Sequence, residues 1–253
     1  MTIFYIILYI ILALFIGSFL NVVALRVPLK QSIVTPGSHC PHCQHPLNWL
    51  DLIPIVSYIA SRGHCRYCKE KVSPLYLLGE MTTLFLFLLI PIKVGLDLEM
   101  LVAYPLMMLL VVVLISDLQY KIIPDRIIYP GIILFFLLRV FIHPLGITNY
   151  LIGATVGGGL LLLIAIISRG GMGGGDIKLF FLLGIVLGWQ GTLLTLFISV
   201  LLGTVVGGLL MLSGRVRRGE PIAFGPYIVF AAVIVYFWGS EILEIYLSLF
   251  KGF

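Results

Sequence analysis

The chain has 253 residues, of which 60% are hydrophobic and 11% charged, with a mean hydropathy of +1.15. A charged fraction this low excludes an ordinary soluble domain, where about a quarter of residues carry charge, and the high hydrophobicity excludes a disordered chain. The 16 Lys and Arg against 11 Asp and Glu give a net charge of +5, which in a membrane protein records loop topology and calls for no nucleic-acid partner.

About 20 apolar residues cross the hydrocarbon core of a bilayer. Eight segments qualify: 3–25, 75–92, 101–119, 127–142, 150–168, 177–189, 191–213 and 222–247. The expected fold is an all-α polytopic membrane protein of about eight transmembrane helices. The first segment lacks a basic stretch before it and a small-residue cleavage site after it, so it reads as a retained helix and not a removed signal peptide. Only the Gly188-Trp189-Gln190-Gly191 break separates the sixth segment from the seventh.

With the amino terminus outside the cell membrane, the loops at 26–74 and near 120, 170 and 215 are cytoplasmic. They hold Arg26, Lys30, Arg62, Arg66, Lys69, Lys71, Lys121, Arg126, Arg169, Lys178, Arg215, Arg217 and Arg218, thirteen of the sixteen basic residues. The opposite side keeps Lys93 and Lys251, with Arg139 near the outer end of the fourth segment. That excess of cytoplasmic Lys and Arg fixes the orientation.

Residues 26–74 form a small module inserted after the first helix (1–25), ahead of the main transmembrane domain (75–253). The module contains six of the thirteen prolines, four of the five histidines and all four cysteines. Cys40-Pro-His-Cys43 and Cys65-Arg-Tyr-Cys68 are two knuckles separated by 21 residues, one more than the usual upper spacing of a four-cysteine zinc ribbon. Four thiolates from two knuckles complete a tetrahedron around zinc, and a reducing cytoplasm disfavours the two-disulfide alternative. A closed four-thiolate site has no open coordination position, so the zinc is expected to fold the loop and not to catalyse. His39, His42, His45 and His64 sit close enough to be rival ligands, but read better as ordinary histidines of the surface around the site. No internal repeat is evident in the chain.

Acidic residues are costly in a bilayer, so Glu80, Asp117, Asp125 and Asp176 are functional candidates. Asp117 ends the third segment. Asp176 opens the sixth, after Gly170-Gly171-Met172-Gly173-Gly174-Gly175, a bare turn that a substrate strand can approach closely. If Asp176 starts a helix, its side chain can cap free N–H groups and the helix dipole favours its charge. Asp117 sits at the unfavourable end of its own helix. Two carboxylates in such different settings suit an acid–base pair that holds one water between them. The alternative is structural pairing with Lys121, Arg126 or Lys178.

Gly153-x-x-x-Gly157 and Gly203-x-x-x-Gly207 read as close helix-packing faces, Trp189 and Trp238 as interfacial anchors. Arg215, Arg217 and Arg218 read as topology determinants.

These residues resemble those of the type IV prepilin peptidases, membrane aspartic proteases of the Gly-x-Gly-Asp class. Gly17-Ser18-Phe19-Leu20-Asn21-Val22 with Arg26 and Pro28 is similar to the family's opening. The cysteine knuckles, Asp51 to Pro54, Tyr76 and Glu80 resemble its cytoplasmic loop. Asp117 with Ile123-Pro124-Asp125, and Gly173-Gly174-Gly175-Asp176-Ile177-Lys178, resemble its two catalytic segments. Phe224-Gly225-Pro226 resembles the motif before its last helix. Leu52 departs from the family, where many members carry Asn.

The resemblance implies that Asp117 and Asp176 are the catalytic pair of a transmembrane aspartic peptidase domain spanning 75–253. It implies cleavage of the leader of a prepilin or pseudopilin on the cytoplasmic side after a glycine, at the cytoplasmic membrane of a prokaryote. It further implies methylation of the new amino terminus by S-adenosylmethionine, and zinc on Cys40, Cys43, Cys65 and Cys68. The methyl-donor site is assigned to no residue, with Glu80 and the 17–54 region contributors by position. Two rivals remain: a cleavage-only peptidase with the module as docking platform, and a small transporter with Asp117 and Asp176 as relay groups.

Overall fold

A backbone in lipid has to satisfy its own N–H and C=O groups, and this chain does so with helices alone. The computed structural model describes residues 2–168, 172–214 and 223–251, and no extended strand forms among them. The helices are α1 (Thr2–Arg26), α2 (Val56–Ala60), α3 (Leu75–Lys93), α4 (Met100–Tyr120), α5 (Asp125–Phe141), α6 (Ile147–Ile167), α7 (Gly174–Leu212) and α8 (Gly225–Lys251), with a 3-10 turn at Trp49–Leu52. Six are long and apolar enough to cross a membrane: α1, α3, α4, α6, α7 and α8. The protein is therefore a multi-pass membrane protein.

The count of about eight is recovered in two ways. Helix α5 has 17 residues, a length of about 25 Å, short of a full span but continuous with the bundle. Helix α7 has 39 residues and breaks at Gly188, whose φ of 70° and ψ of 176° are not helical. The break anticipated at Gly188 to Gly191 is thus present, and α7 consists of two arms. The first arm starts at Gly174, three residues before the expected start at 177, and α8 at Gly225, three after the expected 222.

Helix α4 is the hub. It is buried from Leu109 through Asp117, with Leu106, Met107, Leu110 and Ile115 fully enclosed. Helices α1, α3, α5 and α8 all pack on it. Large apolar side chains on the outer faces, such as Phe4, Phe85, Ile133 and Phe197, stay exposed, as a lipid-facing surface requires.

Helix α6 grips both arms of α7, and its glycines explain how. A Cβ at Gly153 would lie 2.4 Å from the Gly184 carbonyl, and one at Gly157 would meet Phe180 O at 2.5 Å and Thr192 at 2.8 Å. Backbone touches backbone, so Gly153-x-x-x-Gly157 is the packing face expected of it. Gly203 instead faces the rings of Phe224 and Tyr227. At the turn, Asn149 Oδ1 accepts the Trp189 N–H at 3.1 Å.

The bundle has two ends. One carries the cysteine module, the α4–α5 turn and the starts of α7 and α8. The far end carries a buried polar knot. Arg139 forms a two-pronged ion pair with Glu99 at 2.7 Å and donates to the carbonyls of Val186 and Ile142. It lies 4.6 Å from the centre of the Tyr150 ring, and Tyr236 donates to Glu99 at 2.9 Å. Trp238, expected as an anchor, lies under Lys93 at this far end. Arg169, Arg215, Arg217 and Arg218, expected to mark topology, lie outside the described residues, as do Gly170 and Gly171.

Candidate active site and cysteine centre

Asp117 is fixed by how α4 stops. Lys121 adopts a left-handed backbone (φ 55°) and its N–H closes on the Asp117 carbonyl at 2.9 Å. The Ser116 hydroxyl donates to Ile122 O at 2.6 Å. The chain therefore turns sharply one helical turn beyond Asp117 and delivers Ile123 to the start of α7. There a Cβ on Gly175 would lie 2.8 Å from that of Ile123, a contact only glycine permits. The glycine-rich turn preceding Asp176 is thereby pressed against the loop following Asp117.

The Asp117 side chain is 5% exposed, and its Oδ2 accepts the backbone N–H of Gly225 at 2.8 Å. Gly225 begins α8, so the Phe224-Gly225-Pro226 motif supplies a main-chain donor to the carboxylate. Asp176 is half-buried and interacts electrostatically with Asp117.

One detail differs from the sequence expectation. Asp176 does not cap its helix: Gly173 is the capping residue, and Asp176 is the third helical residue. Its carboxylate turns back to accept the Gly173 N–H, which is half of a capping box. The dipole argument survives the change, because the third residue still lies in the first turn.

Asp125 takes up the structural pairing with Lys178. Both its oxygens lie 2.8 Å from Lys178 Nζ, joining the starts of α5 and α7, and Lys178 also sits 5.1 Å from the Tyr129 ring centre. Glu80 is buried, with Oε2 accepting the Ile55 N–H at 2.7 Å and a further bond from Ser18. Ile55 has φ 63° and ψ −52°, with Val56 N bonded to Pro54 O at 2.6 Å. This is a positive-φ γ-turn, rare for any residue and strained for a β-branched one. Sequence reasoning missed that turn, and nothing in Ile-Pro-Ile-Val announces it. It also missed Glu99, although an acid and Arg139 flanking apolar spans at the same far end are a readable signal.

The four cysteines converge. Their Sγ atoms all lie within 4.8 Å of one another, with Cys40 and Cys68 3.8 Å apart. A tetrahedron of metal–sulfur bonds of about 2.3 Å has edges of about 3.8 Å, so the set fits one metal ion. No cysteine is in a disulfide. The backbone N–H groups of Cys68 and Tyr67 lower the Cys65 thiol, while Cys68, despite the Glu70 N–H, is raised by burial and the neighbouring thiols.

The two knuckles share one design, a short repeat the sequence did not disclose. Cys40 N bonds His45 O and Gln44 N bonds Cys40 O, while Cys65 N bonds Glu70 O and Lys69 N bonds Cys65 O. Gln44 and Lys69 both take positive φ, and single bridges pair His39 with Pro46 and His64 with Lys71. His39 and His64 each bond a carbonyl two residues back, and the His45 ring stacks on Tyr67. These three have their own partners, consistent with a purely thiolate site. Asp51 joins the knuckles through Arg66, Tyr67 and the Asn48 N–H.

Residues 11–94 match the bacterial peptidase A24 N-terminal domain, and residues 104–208 match the type IV leader peptidase family. A prepilin leader peptidase/N-methyltransferase of Bacillus subtilis (strain 168) is 38% identical over 198 residues, covering 76% of this chain and 78% of the relative. One from Pseudomonas putida is 32% identical over 220 residues, covering 76% of each. One from Myxococcus xanthus is 38% identical over 191 residues, covering 72% of this chain and 56% of the relative. No solved structure matches significantly. The chain belongs to the type IV leader peptidase family.

Proposed function

We propose that this protein is a membrane-embedded prepilin leader peptidase and N-methyltransferase, with Asp117 and Asp176 as its catalytic pair. The observation that carries the reading is the convergence of two acids, distant in sequence, at one end of the bundle. There α4 stops, α7 starts and the Gly225 N–H meets Asp117. Residues 75–253 are the peptidase domain and 26–74 the cysteine module.

The chemistry follows from two carboxylates that share a proton. The ionised one takes a proton from a water as that water attacks the peptide carbonyl, and the protonated one donates to the carbonyl oxygen; the tetrahedral intermediate then collapses, its C–N bond breaking as the carboxyl that took the water's proton passes it to the leaving nitrogen and the other recovers its own from the hydroxyl. No covalent intermediate is needed. The Gly225 N–H holds the Asp117 carboxylate in place, and the Gly173–Gly175 turn leaves Asp176 open to an extended peptide. A helical substrate hides its carbonyls in internal hydrogen bonds, so a glycine at the cut helps it unwind.

In the cell membrane of a prokaryote, with the amino terminus outside, the cysteine-module end faces the cytoplasm. Arg26, Lys30, Arg62, Arg66, Lys69, Lys71, Lys121, Arg126 and Lys178 all belong to that end, as the excess of cytoplasmic positive charge demands. Prepilins or pseudopilins meet the aspartates there. Cys40, Cys43, Cys65 and Cys68 would hold a structural zinc, which ties the two knuckles into one module. S-adenosylmethionine supplies the methyl group for the exposed amino terminus.

The test is mass spectrometry of a purified pilin precursor, with and without S-adenosylmethionine, before and after exposure to the enzyme in detergent. Loss of the leader together with a gain of one methyl group is expected. Asp117→Asn and Asp176→Asn should each abolish the cut in a protein that still melts normally. Cleavage by either variant would remove the catalytic-pair assignment.

A further inference from the structure

The cysteine module exposes more apolar surface than a water-facing domain keeps. Trp49 is 74% exposed, Val56 58% and Ile59 64%, and Leu50 and Leu52 are exposed as well. Between Asp51 and Arg62 the chain carries no charged residue. Asp51 itself is taken up by Arg66, Tyr67 and the Asn48 N–H. Apolar residues grouped in this way mark a contact surface.

The depth of the segment identifies what it touches. Glu80, whose Oε2 accepts the Ile55 N–H at 2.7 Å, lies five residues into α3, about 7.5 Å from its start. Ser18, which also bonds Glu80, lies eight residues before the end of α1, about 12 Å along that helix. Helix α3 has 19 residues, a length of about 28 Å, and so crosses the ~30 Å hydrocarbon core with nothing to spare. Its second turn, and with it Ile55, therefore lies below the headgroups. On the neighbouring turns Phe19 of α1 and Met81 and Phe85 of α3 are exposed to the same lipid.

The backbone is arranged as that depth demands. The N–H groups of Ile55, Val56, Ser57, Ile59, Arg62 and Gly63 all bond protein acceptors, and Pro54 has none to satisfy. Irregular backbone inside a membrane is tolerated where protein meets its polar groups. The strained γ-turn at Ile55 achieves this for two successive N–H groups, giving one to Glu80 and the next to Pro54 O.

We propose that residues 49–60 are a re-entrant interfacial segment seated in the lipid leaflet on the cysteine-module side, with Trp49 at the headgroup boundary and Val56 and Ile59 among the upper acyl chains. Tryptophan favours that boundary. Arg62, Lys69 and Lys71, which follow the segment, are exposed and suit the phosphates of anionic headgroups. The module is thereby moored to the bilayer at a third point besides α1 and α3, which sets the height of its two knuckles. The assignment needs only the membrane-spanning helices and is independent of the roles of Asp117 and Asp176.

The test uses the full-length chain with Trp189→Phe and Trp238→Phe, which leaves Trp49 as its one tryptophan, in nanodiscs of phosphatidylcholine and phosphatidylglycerol. Lipid brominated near the headgroup end of its acyl chains should quench the Trp49 emission by about half or more, and lipid brominated near the chain ends should quench it less, as expected about 5–10 Å into the headgroup boundary. Emission that the shallow bromines leave unchanged, or that the deep ones quench more strongly, would overturn the assignment. Should the double variant not fold, a benzophenone amino acid at Ile59 in the otherwise wild-type chain decides instead. A lipid adduct supports the interfacial seat, whereas crosslinking only to protein, whether a second copy or the same chain, or no adduct at all, overturns it. Neither readout uses cleavage, so failure of the peptidase reading would leave both unchanged.

Discussion

A methyl group at position 225 would lie 2.6 Å from Asp117 Oδ2 and 2.8 Å from its Cγ. Gly225→Ala must therefore displace the carboxylate or the start of α8. A shift of about 1 Å in a reacting group can cost about a hundredfold in rate, so cleavage should fall on that scale while the melting temperature changes little. Glu80 offers the opposite case, a buried acid whose visible work is to hold the γ-turn at Ile55. Glu80→Leu leaves the Ile55 N–H without its acceptor, a loss of about 1–3 kcal/mol that a thermal melt in detergent would register. Glu80→Gln keeps an acceptor oxygen and should melt close to wild type. The acids were visible in sequence because charge in an apolar run stands out. The choice of Asp117 and Asp176 as the candidate pair came from their helix ends and motifs, whereas the partners of each acid, the Gly225 N–H and the Ile55 N–H among them, are contributed from elsewhere in the chain and were not readable.

At the level of elements, the break in α7 couples two glycine effects. Gly188 needs a positive φ, and a Cβ there would also lie 2.1 Å from Asn149 Oδ1. Gly188→Ala should destabilise by roughly 1–3 kcal/mol from backbone strain alone, seen as a lower melting temperature, with reduced cleavage because the first arm carries Asp176. Sequence composition located this break, as it located the Gly153 and Gly157 face, because glycines in an otherwise bulky helix are conspicuous. Gly203 also lies at a close packing face, but there its neighbours are the aromatic side chains at the start of α8 and not another backbone. The cysteine module is a second self-contained element. Elemental analysis should find about one zinc per chain, lost when Cys40 and Cys65 are both changed to Ser. Cleavage should partly survive, because both aspartates belong to other segments.

Across the whole molecule, the far-end knot ties α5, the start of α4, the α7 turn and α8 through Arg139 and Glu99. Removing one partner of a buried ion pair leaves a bare charge and costs about 3–5 kcal/mol. Arg139→Ala should accordingly lower the melting temperature far more than Arg139→Lys, which keeps the charge next to Glu99. The sequence signals at most that Glu99 and Arg139 share an end of the bundle; the rest of the knot, scattered over five segments, meets only after the bundle has assembled. With the far end pinned in this way, the short first arm of α7 sets how deep Asp176 rides. On the proposed catalytic role of Asp176, the bond that is cut should depend on its depth as well as on its neighbours. Sinking the scissile glycine one helical turn into the hydrocarbon, with its flanking residues unchanged, should let a precursor pass uncut.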